Sequence, residues 1–339
     1  MSNLNVFANR GKNYNPYSAI RSYLLTALAV AGILALRLSM VVKASSLVWE
    51  DGSIFLTGAL SGSLWQNMLT PYAGYYHLIP RLVAQYATVY NLPSVPVFYI
   101  TSSIVFASLM LALPVLPVFS GLMSLRWRIV LALLCALIPA FTEVFGNIAH
   151  LHWFALWGLT LFSFADLSKI SARWLVVAIP LLFASAYSSA PAFVLIPLYG
   201  LQVYRFRSNW VATVFSLTFI LFASSYISVC ARLKEASSFS SLSLSEIAVY
   251  TSKTVGFKSI LIPLIGQRFS SVLQIFWLSI AAFIFASILL LVAAWRSCRS
   301  SRYGDSYRYL AQCYSIVAFV AIVPIMRPVY VNHFLAQGY

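Results

Sequence analysis

The sequence predicts an all-α polytopic membrane protein of about nine transmembrane helices, with two helices lying in the membrane interface within its first external loop. Three observations predict it. Of 339 residues, 61% are hydrophobic and only 9% charged, with a mean hydropathy of +0.86, a composition whose natural solvent is lipid. The apolar residues are gathered into long runs. The basic residues that make the net charge +15 sit in short clusters between those runs, as membrane topology requires, rather than in one stripe suited to nucleic acid. No nucleic-acid partner is expected, and the bilayer itself is the first one.

The predicted spans are 23–42, 95–119, 129–142, 153–164, 174–187, 191–204, 210–230, 271–295 and 309–325. The first has the ~20 residues that cross the hydrocarbon core as a helix. Arg10, Lys12 and Arg21 precede it, which places the N-terminus in the cytoplasm. The polar stretch before Arg21 does not read as a cleavable signal peptide, so the first run is expected to serve as signal anchor and first helix. Cys135, Cys230, Cys298 and Cys313 are scattered without a C-x-x-C pair and read as packing residues. With no internal repeat or low-complexity linker, residues 1–339 form one transmembrane domain, with a first external loop at 43–94 and a second at 231–270.

Residues 78–90 decide the topology. Leu78, Ile79, Leu82, Val83, Tyr86 and Val89 fall at helical spacing on one side, and Arg81, Gln85 and Thr88 on the other, the pattern of an amphipathic surface helix too short to cross. With that helix in the interface plane, Arg126/Arg128, Lys169/Arg173, Arg205/Arg207 and Arg296/Arg299/Arg302/Arg308 all fall on the N-terminal, cytoplasmic side; if it crossed, most would violate the positive-inside bias. Nine spans then leave the C-terminus outside. A second in-plane helix is predicted over 51–68, where Ile54, Leu60, Leu64 and Met68 lie near one stripe.

This topology sorts the seven acids. Glu50, Asp51, Glu143, Glu235 and Glu246 are external, while Asp166 and Asp305 are cytoplasmic among basic neighbours, so function is sought on the outer face. Glu50-Asp51 reads in two ways: as the N-cap of the following helix, or as a catalytic carboxylate whose pKa desolvation raises toward that of a useful general base. In 139–153, Glu143, Asn147, His150 and His152 stand where a helix leaves lipid, either as a polar turn or as a site. A metal held by Glu143, His150 and His152 is a weaker alternative, since H-x-H is not a helical ligand pair; no metal or cofactor is expected, with a divalent ion left open. Arg327 and His333, among aromatics after the last span, can hold a phosphate headgroup or anchor at the interface. Arg81, Lys258 and Arg268 are further candidates for that phosphate. The small-residue break Ser185-Ala186-Tyr187-Ser188-Ser189-Ala190-Pro191 reads as a tight turn without chemistry.

An N-terminal span followed by the external Trp49-Glu50-Asp51-Gly52 and two interfacial helices up to Arg81 resembles the GT-C superfamily of integral membrane glycosyltransferases. Glu143-Val144-Phe145-Gly146-Asn147-Ile148 with His152-Trp153, and the run from Ser188-Ser189-Ala190-Pro191 to Pro197, resemble its bacterial and phage branch of serotype-converting O-antigen glucosyltransferases. The similarity covers roughly residues 20 to 200. It implies a multi-pass protein of the bacterial inner membrane that moves a hexose such as glucose from a polyprenyl-phosphate-linked donor to a glycan such as the O-antigen of lipopolysaccharide. The transfer would occur at the periplasmic face with inversion. Asp51, or Glu50, would deprotonate the acceptor; Glu143, Asn147, His152, Trp153, Tyr75 and His77 are the substrate-binding candidates; and Arg81, Lys258, Arg268, Arg327 and His333 are the donor-phosphate candidates. Ending at Tyr339 without the large soluble C-terminal domain of many such enzymes, the chain resembles the smaller members. A lipid-linked polysaccharide polymerase, flippase or transporter is the alternative. Mid-span ionisable groups, which transport favours, are nearly absent.

Overall fold

The structure is a computed structural model that describes residues 16–44, 47, 50–72, 75–137 and 145–234. Among these residues every regular element is helical. The long helices are α1 (Pro16–Ala44), α5 (Val95–Ala112), α6 (Leu125–Leu137), α7 (Leu151–Phe164), α8 (Leu175–Ser188), α9 (Ile196–Arg205) and α10 (Trp210–Lys234). Between α1 and α5 lie a π-helical turn, Asp51–Leu56, and the short helices α2 (Thr57–Ser61), α3 (Leu64–Leu69) and α4 (Leu78–Ala87). The predicted spans 271–295 and 309–325 lie outside the described residues.

Three helical stretches, Tyr17–Ser39, Leu92–Val115 and Trp210–Val229, are long and apolar enough to cross a membrane. The pair Ala172–Ser188 and Pro191–Arg205, bent by 119°, makes a fourth if it counts as one span. Ile148–Phe164 is apolar but shorter. This is the architecture of a helical membrane protein, and side-chain placement fits lipid as solvent. Leu28, Leu36, Leu134, Val176 and Leu221 point outward, while Ala107, Ala132, Ala136, Ala155, Ala186 and Ala212 are buried between helices. In lipid, large apolar side chains gain little by turning inward, whereas small ones let helices approach closely.

The order of contacts defines two ends. The Tyr23 hydroxyl of α1 donates to the Leu109 carbonyl of α5 at 3.0 Å, while Arg37, further along α1, donates to the Ala136 carbonyl at the end of α6. Helices α1 and α5 therefore run antiparallel, and residues 50–91 leave and re-enter the bundle at one end. Among the described residues, the basic clusters around Arg128, Lys169 and Arg205 gather at the other. There Arg128 Nη1 donates to the carbonyls of Pro114, Val115 and Leu116 at 3.1, 2.9 and 2.7 Å, closing the orphan acceptors at the C-terminal end of α5. Lys169 meets Ser120 Oγ at 2.8 Å and Asp166 at 3.3 Å. Burial pushes the Asp166 carboxyl up, but the Ser168 hydrogen bond and the charges of Lys169 and Arg205 prevail and hold it below its ordinary value.

Two expectations for the first loop are corrected. The helix predicted over 51–68 is three pieces. It breaks at Gly62, whose backbone is extended, because Ser63 opens α3 with a capping box: its hydroxyl accepts from the Gln66 N–H, and the Gln66 side chain accepts from the Ser63 N–H. Helix α4 is amphipathic and far too short to span, as predicted, but its polar side faces the protein and not the water. Arg81 is 1% exposed and is buried together with Leu78 and Ile79 of the predicted apolar face, whereas Leu82 and Tyr86 are 41% and 60% exposed. A polar side chain can turn inward in this way where the protein interior supplies its hydrogen-bond partner, as Asn67 does for Arg81.

Candidate functional site

Asp51 opens the π turn with its carboxylate 1% exposed. It does not cap its own helix: the N-cap position is Glu50, which makes no side-chain capping bond. The local-cap expectation therefore fails, because the carboxylate is turned to another helix. Asp51 Oδ2 accepts from the Ile148 N–H and Oδ1 from the Ala149 N–H, both at 3.3 Å, so it sits on the N-terminus of the turn Ile148–His150 that leads into α7, where free N–H groups and the helix dipole favour an anion. Burial nevertheless dominates and raises its pKa to about 7, against the two backbone bonds, with the neighbouring Glu50 adding to the rise.

Glu50 and Asp51 thus have separate environments. Glu50 is half-buried and accepts from the Tyr72 hydroxyl at 3.3 Å. Asn147, buried beside Asp51, is a cap: its Oδ1 accepts from the Ala149 N–H at 2.6 Å, an Asx-type turn that shares this donor with Asp51 and accounts for the longer carboxylate contact.

Around the carboxylate the first loop and α7 build an aromatic wall. Tyr72 and Tyr75 exchange both backbone hydrogen bonds, at 2.9 and 3.2 Å, a tight return that turns Tyr75 and His77 inward. The His77 ring lies 4.2 Å from Tyr75, 5.5 Å from Phe55 and 5.5 Å from His152, centroid to centroid. His152 Nδ1 stands 2.6 Å from the Ala149 carbonyl. An acceptor there requires that Nδ1 carry the proton, which makes Nε2 the ring nitrogen that can carry a lone pair. Trp153 stacks near it at 4.7 Å. The structure therefore brings Asp51, Asn147, His152, Trp153, Tyr75 and His77 to one place.

Arg81 completes the same place from α4. Its Nη1 donates to Asn67 Oδ1 at 2.7 Å, and Asn67 Nδ2 donates to Gln85 Oε1 at 3.2 Å. The guanidinium lies 5.6 Å from the Phe55 ring, a cation–π contact. Its Nε has no hydrogen-bond partner, and no carboxylate among the described residues pairs with it. Burial pushes its pKa down, from a value so high that the charge persists. A Cβ on Gly58 would come within 3.1 Å of Asn67 Oδ1 and 3.3 Å of Arg81 Nη1, so a side chain there would press on the Asn67–Arg81 pair.

Two anchoring residues escaped the sequence reading. Ser188, in the break assigned no chemistry, accepts from the Ile79 N–H at 2.7 Å and so fastens the N-terminus of α4 to α8. The Tyr226 hydroxyl of α10 accepts from the Tyr76 N–H at 2.8 Å and donates to its carbonyl at 3.2 Å. The rarity of polar groups inside apolar runs was the signal available for Ser188; nothing local marked Tyr226 out among 20 tyrosines.

Glu143, Lys258, Arg268, Arg327 and His333 lie outside the described residues. Among the described residues no three His, Cys, Asp or Glu side chains form a group that could hold a metal ion. Comparison with protein-family models, with curated proteins and with solved structures finds no match.

Proposed function

We propose that this protein is an integral membrane glycosyltransferase of the GT-C kind, moving a hexose such as glucose from a polyprenyl-phosphate donor to a cell-surface glycan such as O-antigen. In this reading it spans the bacterial inner membrane nine times, with the N-terminus in the cytoplasm and the Asp51 end of the bundle in the periplasm. The observation that carries the proposal is a pair of opposite charges, both buried, that do not neutralise each other: Asp51 on the Ile148 and Ala149 N–H groups, and Arg81 across Phe55 on Asn67. Burying either charge is costly. Two such groups on adjoining elements of the first loop, neither in an ion pair among the described residues, are suited to a base and an anion holder.

The division of labour follows. Asp51 accepts the proton of the acceptor hydroxyl as that oxygen attacks the anomeric carbon. The bond from that carbon to the phosphate oxygen breaks on the opposite face, inverting the centre, and the phosphate departs with the electron pair toward Arg81. A fixed guanidinium in a dry site stabilises such a leaving group far better than one in water. A base with a pKa of about 7 is matched to neutral pH. Tyr75, His77, His152 and Trp153 supply aromatic faces for the sugar ring. Glu143, as a substrate-binding candidate, and Lys258, Arg268, Arg327 and His333, as further phosphate-binding candidates, remain part of the proposal.

The test is transfer of labelled sugar from polyprenyl-phosphate-hexose to a glycan acceptor in membranes, at matched expression. Asp51→Asn is expected to lose about 100-fold or more, the usual weight of a general base, and Arg81→Gln a comparable amount, while Glu50→Gln stays within a few-fold of the parent. Absence of donor-dependent transfer in the unmutated protein, or full activity in Asp51→Asn, overturns the assignment.

A further inference from the structure

Helices α8 and α10 reach the first loop through two pairs of consecutive residues, Tyr187-Ser188 and Ser225-Tyr226. One residue of each pair joins the two helices. The Tyr187 and Ser225 hydroxyls share a hydrogen bond of 2.8 Å, and the Tyr187 ring packs 4.9 Å from that of Tyr226. The other residue of each pair holds the loop. Ser188 accepts from the Ile79 N–H at 2.7 Å, while the Tyr226 hydroxyl accepts from the Tyr76 N–H at 2.8 Å and donates to the Tyr76 carbonyl at 3.2 Å. Ser188 and Tyr226 are both buried.

His77 lies between these two points of attachment. Tyr76 belongs to no helix or strand, so its N–H and C=O need partners from outside regular structure, and one hydroxyl, which can both donate and accept, serves the two. The residues on either side of Tyr76 are the ones that enter the site. His77 stands at the N-cap position of α4 without a side-chain capping bond, and its ring is turned to within 5.5 Å of His152. Tyr75 lies 4.2 Å from His77 and 5.9 Å from His152, and it packs in one buried cluster with Tyr226. Both rings that meet α7 therefore take their place from a peptide gripped by a side chain 150 positions away.

We propose that Tyr226 is a positioning residue of the site: by fixing the backbone of Tyr76, it sets Tyr75 and His77 against His152. The aromatic wall is then complete only with α10 docked on the first loop, although α10 follows the stretch 20–200 that carries the family resemblance. Tyr226 touches no reacting atom in this scheme. It acts through the loop, as a remote contact does when a small misplacement at the reacting centre is costly.

The use of this wall for a sugar rests on the transferase reading, but the first readout does not involve transfer. With carbon-13-labelled histidine in the full chain, reconstituted in lipid bilayers, solid-state NMR reads the through-space contact between the His77 and His152 rings, identified by its loss in His77→Gln. Tyr226→Phe keeps the ring and removes both hydrogen bonds to Tyr76, and is expected to lose this cross-peak. Tyr23→Phe removes a tyrosine bond to the Leu109 carbonyl at the basic end of the bundle and is expected to keep it. Assayed well below the melting temperature, transfer is expected to fall on the order of 100-fold in Tyr226→Phe, the scale of a misplacement of about 1 Å, and to stay at the parent rate in Tyr23→Phe. A cross-peak kept in Tyr226→Phe, a cross-peak lost equally in Tyr23→Phe, or undiminished transfer in Tyr226→Phe overturns the proposal. If Tyr226→Phe does not fold, amide hydrogen exchange in the unmutated chain decides: a protected Tyr76 N–H supports the grip, and one that exchanges as fast as that of the exposed Ser171 overturns it. Failure of the transferase reading shows separately, as an unmutated protein that gives the cross-peak and transfers no sugar.

Discussion

Asp51 and His152 grip a single residue from its two sides: the carboxylate accepts from the Ala149 N–H at 3.3 Å, and the imidazole Nδ1 donates to the Ala149 carbonyl at 2.6 Å. One peptide segment thereby sets the depth of the proposed base and the tautomer of the histidine beside it. It also ties the first loop to the start of α7, so the geometry of the site belongs to the bundle and not to the loop alone.

The raised pKa of Asp51 makes a signed prediction about stability. The folded protein binds this proton more tightly than the unfolded chain, in which the carboxyl titrates near 3.8, so stability falls as pH rises from about 4 to about 7. Asn at position 51 cannot ionise and escapes that loss. Above pH 7, Asp51→Asn is expected to be more stable than the parent by up to roughly 4 kcal/mol for a shift of about three pH units, and so to unfold at a higher temperature, with the difference shrinking toward pH 4. Melting curves in detergent between pH 4 and 8 check it; a gap that grows on acidification contradicts the burial argument.

Arg81 is held at a cost to stability. Replacing a buried guanidinium that no carboxylate among the described residues neutralises with Met, of similar length and no charge, is expected to leave the melting temperature unchanged or raise it. Added polyprenyl phosphate should stabilise the parent by about 2.7 kcal/mol at a hundred times its dissociation constant, and this increment should vanish in Arg81→Met. Thermal shifts with and without the lipid read both effects.

Ser188→Ala deprives the Ile79 N–H of its buried acceptor. The expected destabilisation is about 1–3 kcal/mol, against less than about 0.5 kcal/mol for Ser171→Ala at an exposed position. Because Ile79 begins the helix that carries Arg81, sugar transfer should fall more than stability explains. Activity measured well below the melting temperature separates the two.

At the opposite end, Arg128 gathers three backbone carbonyls. Arg128→Ala should destabilise by about 2–3 kcal/mol or more, since charged hydrogen bonds are lost and buried acceptors left open. Arg128→Lys should recover only part of it, as an ammonium lacks the planar fork. Chemical denaturation in mixed micelles compares the three, and equal stability of parent and Arg128→Ala would count against a capping role.

The sequence by itself determined the solvent of this protein and much of its helical layout. Apolar runs and basic clusters are local properties written by lipid and by the membrane's charge asymmetry, so the helices at 16–44, 95–112, 151–164, 175–188 and 210–234 fall where the runs are, and Arg128, Lys169 and Arg205 gather at one end as their clusters require. The rarity of acids drew attention to the pair Glu50-Asp51 without choosing between them. Only the tertiary structure decided what each polar group meets. Asp51 finds its donors 97 and 98 residues away, Ile79 finds its cap at Ser188, 109 residues away, and Arg81 turns inward although its helix reads as a surface one. Hydropathy periodicity names two faces of a helix without saying which neighbour either will touch. That choice is made when helices distant in sequence pack together and each buried donor or acceptor must find its partner among them.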